Sequence, residues 1–134
     1  MTAEIIYDGQ LRTTATHLAS STKIETDAPV DNNGKGEKFS PTDLAATSLG
    51  ACMMTVMGIA ARDKNISLEG TRINITKIMA ANPRRIAEVK VDITFPRDNN
   101  ISQEDRERLE GIAVNCPVAK SLHPDIKQNV TFKW

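Results

Sequence analysis

The only two thiols in this chain of 134 residues are Cys52 and Cys116, and they lie far apart in sequence. Four chemistries are open to such a pair. Both cysteines could be inert core residues, because free cysteine is among the most buried types. They could form a structural disulfide. They could bind a metal together with His17 and His123. Or they could work as a redox pair, in which one thiolate attacks a peroxide and the other resolves the resulting sulfenic acid. Zinc sites draw on closely spaced ligand pairs, and positions 17, 52, 116 and 123 offer only a loose Cys/His pair. Cys116 precedes Pro117 at an expected helix start, where the positive end of the helix dipole favours a thiolate. Cys52 lies among Met53, Met54, Val56 and Met57. Burial there would keep it protonated unless a cation, most simply an arginine from another segment, stands nearby.

The element that must position Cys52 is a helix over Ser40–Ala61. Ser40 is a good N-cap, Pro41 suits the first helical position, and Asp43 completes a capping-box-like start. From Leu44 to Ala61 there is no charge. A helix apolar all round belongs in a core or a membrane. Thr47, Ser48, Thr55 and two glycines in the run, with no interfacial Trp or Tyr, favour a buried core helix over a span.

Upstream, residues 3–18 read as extended, with a turn at Asp8-Gly9, so a hairpin or a bulged pair is expected. A short strand over Thr22–Thr26 follows. Residues 29–39 form a polar Gly/Asn loop without phosphate-binding spacing, able to fold over the start of the cysteine helix. Downstream, residues 68–79 read as a strand. Ala87, Val89, Val91, Ile93 and Phe95 alternate with polar residues, so these two segments should pair as a long hairpin. Ser102 caps an amphipathic helix striped by Leu109, Ile112 and Ala113. Residues 117–122 form a short helix with Cys116 near its N-cap. Val130, Phe132 and Trp134 make a closing strand. The order β-β-β-α-β-β-α-α-β defines a single α+β domain over residues 1–134.

Lys+Arg and Asp+Glu each total 17, so no net field draws nucleic acid or anionic lipid. Aromatics at 4% leave few stacking platforms for bases. The N-terminal MTAEIIYDG has no signal-peptide pattern, so the expected setting is cytoplasmic. There a purely structural disulfide is less expected. No cofactor-binding motif is read.

The runs SPTDLAATSLGAC (Ser40–Cys52) and CPVAKSL (Cys116–Leu122) resemble the two signatures of the OsmC/Ohr family of osmotically inducible and organic hydroperoxide resistance proteins. The order of elements is similar over nearly the whole chain. The resemblance implies an OsmC-like fold: an intertwined homodimer with central cysteine-bearing helices wrapped by curved antiparallel sheets. It also implies thiol-dependent reduction of organic hydroperoxides, with hydrogen peroxide as a further substrate and an external dithiol as reductant. Cys52 matches the peroxidatic cysteine and Cys116 the resolving one. The hydroperoxide-reducing branch pairs an N-terminal arginine with a glutamate in the first turn of the cysteine helix. Arg12 is the only arginine before that helix, whereas the glutamate position holds Thr42. Asp43, one residue on and turned by about 100° around the helix, is the candidate acid. The departure at Thr42 motivates an alternative reading, a non-catalytic dimer that binds a small apolar ligand or senses redox state.

Overall fold

The computed structural model describes residues 1–97 and 99–134. The chain divides into two compact units, Met1–Ala45 and Ala46–Trp134.

The first unit is an antiparallel sheet in the order β1 (Ala3–Gly9), β2 (Arg12–His17), β3 (Lys23–Asp27). β-Branched threonines in β2 and β3 suit a pleated, half-buried surface. The β1–β2 register slips between Tyr7 and Gly9, so Asp8 bulges. Its carboxylate then accepts a bond from the Thr14 hydroxyl at 2.6 Å. The loop after β3 folds back on the end of that strand. The Gly36 amide donates to the Ala28 carbonyl and the Asp27 amide to the Phe39 carbonyl. A Cβ on Gly34 would sit 1.7 Å from the Ala28 oxygen, so only glycine fits there. α1 (Pro41–Arg62) begins in this unit. The Ser40 hydroxyl accepts from the Asp43 amide at 3.1 Å, and Asp43 Oδ2 accepts from the Ser40 amide at 2.8 Å. This closes a capping box in both directions.

The second unit holds most of α1, then β4 (Arg72–Ala81), β5 (Arg84–Thr94), α2 (Gln103–Val114), α3 (Pro117–Ser121) and β6 (Lys127–Lys133). β4 and β5 pair antiparallel. β6 joins the other side of β5 in parallel, so this sheet is mixed, which corrects the expectation of antiparallel sheets throughout. The physical reason is the connection. The chain leaves β5, crosses over through α2 and α3, and re-enters at the same end, which only a long crossover permits.

The alternation in β5 is also interrupted. Ile78 faces Glu88 but Met79 faces Ile86, leaving Ala87 as the extra residue of a bulge. Ile86 therefore takes the core position that strict alternation assigns to Ala87.

α1 lays Leu49, Met53 and Met57, all fully buried, against this unit's core. Each such side chain contributes about 1.5–3 kcal/mol of burial. Gly50 permits close approach to β4: a Cβ there would meet Ile75 Cδ1 at 2.6 Å and Ile73 Cγ2 at 3.1 Å. The helix is 22 residues long, with a mean hydropathy of 1.7 over its most apolar window, enough by length and composition to cross a bilayer. Its packed face marks it instead as a core helix.

It is not buried all round, contrary to the expectation from its composition. Ser48, Ala51, Thr55 and Ile59 form an exposed stripe.

Candidate active site

Cys52 lies at mid-helix beside that stripe and is half-buried, while Cys116 is 1% exposed. The fold makes these two sequence-distant thiols neighbours, and both are free rather than joined.

The placement of Cys116 follows from local structure. α2 is capped by Ser102, whose hydroxyl accepts from the Asp105 amide at 3.2 Å. α2 is tied to the end of α1 by Lys64 with Asp105 (2.6 Å) and by Arg108 Nη2 donating to the Ala60 carbonyl (2.8 Å). Leu109 and Ala113, both fully buried, set the face it presents inward. At the C-terminal side Trp134 stacks on Phe95 with ring centroids 3.6 Å apart, and its Nε1 donates to Glu110 Oε1 at 2.6 Å. α2 ends at Asn115 because Pro117 cannot continue it. Cys116 becomes the N-cap of α3, its amide donating to the Ala113 carbonyl (3.1 Å) and its Sγ accepting from the Ala119 amide (3.4 Å).

The expectation of a Cys116 thiolate is overturned. Burial pushes this thiol above its usual range, and the nearby Cys52 sulfur adds to the rise. The amides of Ala119 and Val118 oppose the shift without reversing it. α3 has only five residues, so its dipole is weak against the cost of charging a buried sulfur.

Arg12 belongs to the first unit and is no solvated strand residue. It stands opposite Asp27 in the β2–β3 register. Its Nε donates to Asp27 Oδ1 at 2.7 Å and its Nη2 to Asp27 Oδ2 at 2.8 Å, a bidentate pair. Nη2 also donates to Glu37 Oε2 at 2.7 Å. Asp27 is 2% exposed and additionally accepts the Glu37 amide at 3.1 Å. The Arg12 guanidinium holds the Asp27 carboxyl below the usual carboxylate range. In turn the two carboxylates, Asp27 foremost, raise the Arg12 pKa further, so Arg12 is cationic at any ordinary pH.

The acids on Arg12 are therefore Asp27 and Glu37, which the sequence reading missed, whereas Asp43 caps α1 with the oxygen described above. The available signal was the hairpin register, which sets an acid at the end of β3 opposite the one arginine of β2. Thr42 Oγ1 lies 3.1 Å from the Ser40 hydroxyl.

The histidines are exposed. His17 Nδ1 lies 2.7 Å from the Ser20 hydroxyl, and His123 Nδ1 accepts from the Asp125 amide at 3.2 Å. Among the described residues no three His, Cys, Asp or Glu side chains gather as metal ligands.

Two three-stranded sheets, a long apolar helix carrying one thiol and a second, buried thiol beside it define a class of α+β dithiol proteins. The chain belongs to the OsmC-like protein family, whose description matches residues 34–131. It shares 52% identity with a crystal structure from Psychrobacter arcticus 273-4, provisionally named an osmotic stress induced and detoxification response protein. The match covers 98% of this chain and 95% of that one, with a TM-score of 0.93. Two further structures share the fold at low identity. One is the organic hydroperoxide resistance protein OsmC of Legionella pneumophila, with 18% identity, 100% and 98% of the chains covered and a TM-score of 0.77. The other is OhrB, an organic hydroperoxide resistance protein of Bacillus subtilis, with 16% identity, 99% and 98% covered and a TM-score of 0.66. No curated protein matches the chain.

Proposed function

We propose that this protein is a thiol-dependent peroxidase that reduces organic hydroperoxides, with hydrogen peroxide as a further substrate. The observation that carries the reading is the meeting of two free thiols, one reachable from solvent and one buried. The Cys52 thiolate attacks the terminal peroxide oxygen. The O–O bond breaks, sulfur gains the oxygen as a sulfenic acid, and the alkoxide leaves and takes a proton to become the alcohol. The Cys116 sulfur then attacks the Cys52 sulfur. A disulfide forms, and the displaced hydroxide leaves as water with the proton from Cys116. An external dithiol supplies two electrons by thiol–disulfide exchange and restores both thiols.

In this reading Arg12 is the cation that favours the thiolate, and Asp27 and Glu37 keep its guanidinium in one orientation. The family glutamate position is Thr42 here, and two acids already hold Arg12 without it. Asp43 contributes the helix cap that fixes the start of α1.

The working unit in this reading is a homodimer in the cytoplasm. Ile5, Ile6, Tyr7 and Ile24 of the first sheet and Ile59 of α1 are each at least half exposed, and a second copy would cover such side chains. The test is consumption of cumene hydroperoxide in the presence of excess dithiothreitol. Turnover above a Cys52→Ser control is expected; equality with that control would end the proposal. Formation of a Cys52–Cys116 disulfide after one equivalent of peroxide, read by mass spectrometry, separates this reading from simple binding of an apolar ligand.

A further inference from the structure

We propose that Gln128 is a positioning residue for the resolving step: from β6 it holds α3, and through α3 it fixes where the Cys116 sulfur stands. α3 has only five residues, too few for a helix to persist on its own hydrogen bonds. Its last carbonyls have no partner within the helix. Those of Pro117 and Val118 are met locally, by the Ser121 hydroxyl at 2.8 Å and the Leu122 amide at 3.1 Å. The Ala119 carbonyl is met from outside, by Gln128 Nε2 at 2.9 Å. A carbonyl only accepts, so the amide nitrogen is the group that faces it.

Ala119 links this contact to the thiol. Its amide donates to Cys116 Sγ at 3.4 Å, while its carbonyl takes the Gln128 bond. The residue that touches the sulfur is thus the residue that β6 holds, and it is buried. Gln128 is itself well anchored. It stands opposite Val89, a core residue of β5, in the parallel register. Positions 128, 130 and 132 form the half-buried face of β6, and Val130 and Phe132 are apolar there. A glutamine on such a face must find a partner for its amide, and the Ala119 carbonyl is that partner. In the resolving step the Cys116 sulfur bonds to the Cys52 sulfur as the S–O bond of the sulfenic acid breaks, and water leaves with the Cys116 proton. That step needs the two sulfurs in line, so a loose α3 slows it without touching the earlier attack on peroxide. The inference deepens the peroxidase reading and rests on it for its functional meaning.

The experiment is a single turnover of the full chain with one equivalent of cumene hydroperoxide, quenched over time and read by mass spectrometry. Dimedone added in parallel traps any Cys52 sulfenic acid. Gln128→Leu, of similar bulk but without the donor, should form the Cys52–Cys116 disulfide about tenfold more slowly, the scale of one hydrogen bond. Its Cys52 should be oxidised at the parent rate, so the dimedone adduct should grow. Parent-like disulfide formation in Gln128→Leu would overturn the assignment, and so would an equal slowing of both steps. Gln128→Glu supplies a readout that mere destabilisation would not give. Its ionised carboxylate cannot donate, whereas its protonated form can. Its disulfide rate, taken relative to the parent at each pH, should recover as the solution is acidified through the carboxylate range. A flat ratio refutes the positioning role, and this variant decides should circular dichroism show Gln128→Leu to be unfolded. Diamide, which couples two thiols and is itself reduced to the hydrazine, keeps the two ideas apart. A Gln128-dependent disulfide with diamide, but none with peroxide, sinks the peroxidase reading alone. Peroxide turnover in which neither variant slows the disulfide sinks only the role of Gln128. No disulfide in the parent protein with either oxidant sinks both.

Discussion

The Arg12 cluster and the two cysteines place their ionisable groups in opposite kinds of surroundings. In the first unit a guanidinium is fixed by two carboxylates through three short bonds, on a side chain that keeps 25% of its surface exposed. Charge complementarity sets its geometry, and its protonation is beyond the reach of pH. In the second unit Cys52 is half-buried and Cys116 buried, and desolvation pushes the Cys116 thiol up. A permanent cation can be positioned by charged partners, whereas the ionisation of a thiol depends on how far it is desolvated. Altering charges should therefore disturb the first region and altering volume or solvent access the second.

The largest effect should come from Cys52→Ser, which removes the proposed nucleophile and should reduce the proposed hydroperoxide turnover to the uncatalysed background in the dithiothreitol assay. Arg12→Ala should lower single-turnover oxidation of Cys52 by about 10²-fold, the scale of one lost electrostatic donor. It should do so while leaving a folded circular dichroism spectrum, and wild-type rates in that variant would remove Arg12 from the proposed mechanism.

Leu49→Ala tests the apolar side. Deleting a fully buried leucine side chain should destabilise the protein by about 2–5 kcal/mol in urea titration. A loss below about 1 kcal/mol would mean that the helix face is less tightly packed than its burial implies.

The pH dependences should differ in sign. The Asp27 carboxyl is depressed when folded, so its contribution is present above the ordinary carboxylate value of 3.8 and is lost as pH falls through the depressed one. Asp27→Asn should flatten the acid limb of the stability curve. The Cys116 thiol is raised, so its contribution is intact below the ordinary thiol value of 9.0 and is lost as pH climbs through the raised one. Cys116→Ser should flatten the alkaline limb. Both are read from urea midpoints across pH, and exchange of the two behaviours would invalidate the contrast.

The smallest change is expected from Glu37→Gln. Its side chain is 60% exposed and its bond to Arg12 is open to screening, so about a twofold drop in rate, shrinking as salt is added, is the expected size.

Much of the architecture was readable because it depends on local rules. Ser40 and Ser102 announce their helices by capping, Pro117 ends α2, and polar–apolar alternation marks β5. Three features escaped. The Ala87 bulge moves Ile86 into the core, and a run of alternating residues carries no trace of an inserted step. β6 lies parallel to β5, a choice made by the crossover rather than by Val130 or Phe132. Asp27 reads as one more acid in a polar stretch until the register sets it against Arg12.

The sequence by itself determined the order of elements, the two thiols and the apolar helix that carries one of them, because capping, periodicity and proline act over a few neighbouring residues. Only the tertiary structure decided that Cys52 and Cys116 are neighbours, that Asp27 and Glu37 hold the arginine, and that burial raises the Cys116 thiol. Those outcomes depend on desolvation and on contacts between residues distant along the chain, and neither quantity exists until the chain has folded.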